Sequence, residues 1–106
     1  MTQHEFWQQR ALAERGMILA VLYNAPAPSV DLVTIRGCLD LLGMPTQAQA
    51  LKRHMLHLAQ RGYLTAHSGF AMGISLENYE LTPDGRDLVI GARTDPGVSV
   101  PSLTEK

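Results

Sequence analysis

The sequence predicts an α+β fold, mainly α: a three-helix core, a β-hairpin and a short C-terminal helix. Three observations predict it. The first 60 residues carry helix-spaced apolar residues interrupted twice by proline, at Pro26-Ala27-Pro28 and at Gly43-Met44-Pro45. Residues 63–81 then switch to short, alternating, glycine-punctuated segments that suit strands. Finally, Thr82-Pro83-Asp84 places a capping hydroxyl, a proline and an acid in the order that opens a helix.

His4 to Tyr23 favours helix, polar in its first half and densely apolar in its second. Apolar residues on several sides of Met17–Tyr23 predict a central helix covered by neighbours. The prolines after Asn24 end it, because each lacks an amide hydrogen and disfavours helix in the residue before it. The second helix is expected to start at Ser29 as its cap, with Asp31 in the first turn and Leu32, Ile35, Leu39 and Leu42 as its buried stripe. Gly43 and Pro45 close it.

Thr46-Gln47-Ala48-Gln49 matches a capping box, so the third helix is expected over 46–61. Leu51, Met55 and Leu58 face inward. At ~100° per residue, Thr46, Gln49, Arg53, His57 and Gln60 fall on the opposite face, with Lys52 and Leu56 on one flank. Tyr63–His67 reads as a strand and Ser68-Gly69 as a turn. Phe70, Met72, Ile74 and Leu76 then alternate with smaller or polar residues, which predicts one apolar strand face. A turn at Glu77-Asn78, a last strand over Tyr79–Leu81 and a short helix through Ile90 complete the first domain, 1–92. Residues 93–106 hold two prolines and little to bury, so they are expected to form a flexible tail.

The 106 residues carry a net charge of −1, which is unfavourable for phosphate binding, but the distribution matters more. No acid lies between Asp40 and Glu77, whereas Lys52, Arg53, Arg61, His54, His57 and His67 all do. The third helix thus carries a local positive field. Cys38 is the single cysteine, which excludes an internal disulfide and leaves no thiol pair for zinc. His54 and His57 are expected to be solvated, and no metal or cofactor is expected. No apolar run reaches the ~20 residues that span a bilayer, so a cytoplasmic location is expected. Without a phosphate loop, nucleophile elbow or spaced carboxylate pair, an enzyme is not expected.

The pattern Leu51-x-x-x-Met55-x-x-Leu58-Ala59-x-x-Gly62-Tyr63-Leu64, a hairpin, then Tyr79-x-Leu81-Thr82-x-x-Gly85 resembles winged helix-turn-helix proteins of the ArsR, MarR and PadR groups. More closely, Arg15 through Leu22, Pro96-Gly97-Val98 and Pro101-Ser102 resemble small proteins of Mu-like transposable phages and prophages. The resemblance implies a phage or prophage transcriptional regulator. Its third helix would meet double-stranded DNA through Thr46, Gln47, Gln49, Lys52, Arg53 and His57. It also implies a homodimer, with Phe6, Trp7, Phe70, Met72 and Ile74 as contact candidates. Two features depart from it: the hairpin has no Lys or Arg between Ser68 and Asn78, and the paired cysteines of metal-sensing relatives are absent. The alternative expectation is therefore an interaction module that binds a protein partner, such as another phage component, through its apolar wing.

Overall fold

A computed structural model describes residues 1–101. Its elements run α1 (Gln3–Asn24), β1 (Val30–Asp31), α2 (Leu32–Leu41), α3 (Ala48–Gln60), β2 (Leu64–Ala71), β3 (Ile74–Leu81) and α4 (Pro83–Val89). The antiparallel sheet has the order β1-β3-β2.

The central helix is α1. Thr2 caps it in a reciprocal box, accepting from the Glu5 amide while the Glu5 carboxylate accepts from Thr2. Residues 3–9 are exposed, and burial begins one turn later and becomes complete at Ile18 and Leu19. Around this stretch pack Ile35 and Leu39 from α2, Leu51, Met55 and Leu58 from α3, Tyr63, Leu64 and Tyr79 from the sheet, and Leu88 and Val89 from α4. Each fully buried aliphatic side chain contributes roughly 1.5–3 kcal/mol relative to exposure. Burial pushes the Tyr79 hydroxyl up to about 12, helped by Glu77, to which it donates at 3.0 Å.

Several local expectations are corrected. Asp31, not Ser29, caps α2, accepting from the Thr34 amide and hydroxyl, because Ser29 and Val30 are drawn into the approach to β3. Leu42 is exposed, so the buried stripe of α2 ends at Leu39. The capping box before α3 does not form. Gln47 occupies the cap position without a side-chain bond, and the buried Thr46 hydroxyl donates instead to the Met44 carbonyl at 3.2 Å.

The hairpin also differs from its expected form. Ser68-Gly69 and Glu77-Asn78 lie inside strands, and the turn is Met72-Gly73, flanked by the Ala71–Ile74 pair. Both turn residues have positive φ, 54° and 76°, the two-residue geometry that matches the strand twist. Because the turn falls in the middle of the apolar alternation, Phe70 shares a face with Ser75 and Ala66. Ile74 and Leu76 share the other with Ala71 and Gly69. All four large apolar residues, Phe70, Met72, Ile74 and Leu76, are exposed.

Residues 93–101 are not a free tail. Val98 is buried, the Ser99 amide donates to the Leu12 carbonyl at 3.1 Å, and Asp95 pairs with Val98 in a tight turn. The segment crosses α1 at Gly16, where an added Cβ would occupy the position of the Ser99 carbonyl. The remainder of the expected tail, 102–106, lies outside the described residues. Among those described, no helix is long and apolar enough to cross a membrane.

Gly16→Ala is therefore expected to lose about 1–3 kcal/mol in denaturant unfolding by forcing the 98–101 segment off α1. Met72→Asn should gain about 0.5–1 kcal/mol, since Met at positive φ is strained and Asn-Gly suits this turn.

Candidate nucleic-acid interface

The outward surface of α3 is built by fixing both ends of the helix. At its start, the chain leaves α2 through Gly43, φ 77°, with the Gly43 and Met44 amides donating back to Asp40 and Leu39. Two guanidiniums then hold the turn. Arg10 of α1 donates to the Pro45 carbonyl at 3.2 Å, and Arg36 of α2 donates to the Thr46 carbonyl at the same distance. Both carbonyls would otherwise depend on water.

The inward side of α3 combines apolar packing with one polar anchor. His54 is 8% exposed, and its Nε2 lies 2.7 Å from Glu14 Oε1, while Arg10 holds the other Glu14 oxygen at 3.0 Å. The chain Arg10–Glu14–His54 thereby ties α1 to the middle of α3. The expectation that His54 is solvated is corrected, because α1 covers it.

At the end of α3, Asp95 receives three groups. Arg61 Nη2 lies 2.6 Å from Oδ2, the Tyr63 hydroxyl donates to the same oxygen, and the Gly97 amide donates to Oδ1 at 2.7 Å. Burial alone pushes this carboxyl up. The Tyr63 hydroxyl, the Gly97 amide and Arg61 more than offset it and hold the group at about 2. The same segment covers the flank of α3 at His57. Burial pulls that imidazole below its ordinary value, and the nearby Arg15 and Arg61 charges add to the effect. Among the described residues, His57 Nε2 and Arg15 Nε are buried without hydrogen-bond partners. His57 was expected on the open face, and the 95–98 turn displaces it from there.

What remains open is a strip comprising Gln47, Gln49, Lys52, Arg53, Leu56 and Gln60, all exposed. No acid lies on α3, and among the described residues neither Lys52 nor Arg53 has an ion-pair partner. Three amides, an ammonium and a guanidinium along α3 and its cap can donate to phosphates and to acceptor edges of bases. Of the predicted groove-facing residues, Gln47, Gln49, Lys52 and Arg53 share this strip. Thr46 is buried in the turn and His57 is half-covered. The wing adds no cation, and its His67 faces Glu80 at 3.2 Å.

The other predicted contact residues lie apart. Phe6 and Trp7 are exposed on the free N-terminal turns of α1, stacked edge to face at 5.0 Å. Cys38 is partly buried in an apolar groove of about 770 Å³ between α1 and α2, lined also by Met17, Val21 and Leu41. Sequence reasoning missed Glu14, Arg36 and Asp95 as supports of the interface. Only Arg10–Glu14, an i,i+4 pair, left a local signal.

Two groups beside α3 contribute to the acid response. His57, held below its ordinary 6.5, contributes stability that is full above that pH and lost as pH falls through its folded value. Asp95 contributes above 3.8 and loses its contribution as pH falls toward 2. Thermal melts should therefore weaken modestly below pH 6.5 and again between pH 3.8 and about 2. Asp95→Asn should reduce the second loss, which Asp31 shares, and cost about 2 kcal/mol at neutral pH.

No protein-family model and no curated protein sequence matches the chain. Solved structures do. A PadR-like transcription factor from Bacteroides fragilis superposes with a TM-score of 0.67 at 13% identity, over 86% of this chain and 85% of that one. A PadR-family regulator from Eggerthella lenta gives 0.64 at 17% identity, over 84% and 76%. Bacillus subtilis PadR, solved in complex with operator DNA, also gives 0.64, at 16% identity, over 87% of this chain and 52% of that one. At these identities the likeness establishes architecture: the chain has the winged helix-turn-helix fold that these regulators share, with α2 and α3 as the helix-turn-helix and β2–β3 as the wing.

Proposed function

We propose that this protein is a DNA-binding transcriptional regulator that lays the open face of α3 in the major groove. The observation that carries the reading is the acid-free strip of Gln49, Lys52 and Arg53, exposed and without ion-pair partners among the described residues, on a helix anchored at both ends. Preorganised donors lose little freedom on binding, so the supports at Pro45, Thr46, His54 and Asp95 favour such a role. The structural likeness to a PadR protein solved with operator DNA supports it further. In this reading Arg53 holds a guanine edge or a phosphate with two hydrogen bonds, Lys52 grips the backbone, and Gln47 and Gln49 reach the groove from the N-terminal turn. Thr46 and His57 act from behind, fixing the turn and the flank. A bacterial cytoplasmic setting and a phage or prophage context belong to the same proposal, the latter supported by the resemblance of Arg15–Leu22 and Pro96–Ser102 alone.

A second reading is favoured by one observation: the wing exposes Phe70, Met72, Ile74 and Leu76 and has no Lys or Arg. Such a surface suits a protein more than a phosphate backbone. It leaves the α3 reading intact.

A fluorescence titration of labelled mixed-sequence duplex should show affinity falling with salt at about −0.9 per neutralised phosphate, for a few phosphates. Arg53→Ala should weaken binding by about 1–3 kcal/mol. Absence of binding up to about 100 μM at low salt would overturn the proposal.

A further inference from the structure

Among the described residues the sheet leaves two stretches of edge open, the outer side of β3 from Ile74 to Glu77 and the whole outer side of β2. On one side, β1 is two residues long and runs directly into α2. On the other, β2 presents eight residues whose outer backbone groups meet no partner among the described residues. Every residue from Thr65 to Ala71 is exposed. A row of unpaired amides and carbonyls is a template for another strand, and folded proteins usually blunt it with lysine, proline or a bulge. This edge has none of these. Its pairing with β3 runs unbroken from Leu64–Leu81 to Ala71–Ile74, and His67 is its only titratable side chain.

We propose that the β2 edge pairs antiparallel with β2 of a second copy, joining two three-stranded sheets into one six-stranded sheet across a two-fold axis. The unpaired backbone groups restrict the partner to another extended strand. The side chains favour the strand itself. With the axis at Ser68, Phe70 lies opposite Ala66 of the second copy, His67 opposite Gly69 and Thr65 opposite Ala71. Large thus meets small on both faces, and no permanently charged side chain meets its like. An axis one residue later would set Phe70 against Ser68 and lose that match. The pairing covers Phe70, which is 76% exposed in the single chain. A closed two-fold contact also uses the β2 edge completely.

The test uses the full chain without DNA, so its failure leaves the α3 reading untouched. Light scattering at about 0.1 mM should give twice the chain's 11.6 kDa. Ser68→Lys should halve that mass, because two ammonium groups would face each other at the axis. Glu77, the Ser68 partner within the sheet, gives the lysine an acid in the single chain, so the fold is retained. In a Cys38→Ser background, Ser68→Cys should cross-link to itself on mild oxidation, since opposed residues lie within disulfide reach. Thr65→Cys should not, its twin being about 20 Å away. A monomer at this concentration would overturn the proposal. So would a dimer that Ser68→Lys leaves intact and Ser68→Cys does not cross-link, which would move the interface to another surface such as Phe6 and Trp7.

Discussion

Burial of the second half of α1 is the constraint on which the rest of the structure depends. Ile18, Leu19 and Leu22 present apolar surface on too many sides for one neighbour to cover, so α2, α3, α4 and the sheet gather around the helix. Gly16 serves the same requirement in another way. Lacking a Cβ, it lets the 98–101 segment cross α1 in backbone contact, and that crossing brings Asp95 to the end of α3.

The polar residues that flank this apolar stretch determine how α3 is held. Arg10, Glu14 and Arg15 lie on α1 just before the core, and each reaches an element distant in sequence: the turn at Pro45, His54 and Gly97. Buried or half-buried pairs of this kind add little net stability compared with apolar packing, but a misplaced partner would leave a charge unsatisfied. They therefore select one position for α3. Under the proposed reading, in which α3 meets DNA with a fixed face, such selection matters more than additional stability.

Electrostatics divide the helix-turn-helix from the wing. The whole chain is close to neutral, yet five of its ten acids serve caps and ion pairs: Glu5, Asp31 and Asp84 at helix starts, Glu14 and Asp95 against partners. Among the described residues, Lys52 and Arg53 of α3 are left without an acidic partner. The hairpin, in contrast, offers apolar side chains and a backbone edge that is unpaired among the described residues. One surface is suited to phosphates and base edges, the other to a strand and to apolar contact.

Most of the helical framework was legible in the sequence because its signals are local. The Thr82-Pro83 start, the Gly43 stop, the 3.6-residue spacing of Leu51, Met55 and Leu58, and the dense stretch from Met17 to Tyr23 each act within a few residues. The sequence by itself therefore determined the helices, the presence of a hairpin and the exposed positions of Gln49, Lys52 and Arg53. Where two local solutions competed, only the tertiary structure decided between them. The alternation from Phe70 to Leu76 suits one strand as well as two halves of a hairpin, and the pairing with β3 puts the turn at Met72-Gly73. Thr46 can cap α3 or bond within the turn, and the guanidiniums that clamp Pro45 and Thr46 accompany the second outcome. His54, His57 and the 93–101 segment read as solvated because their partners lie 40 or more residues away in the chain for Glu14–His54 and 82 for Arg15–Gly97. Such contacts follow from how helices pack on α1, and no local pattern encodes that packing.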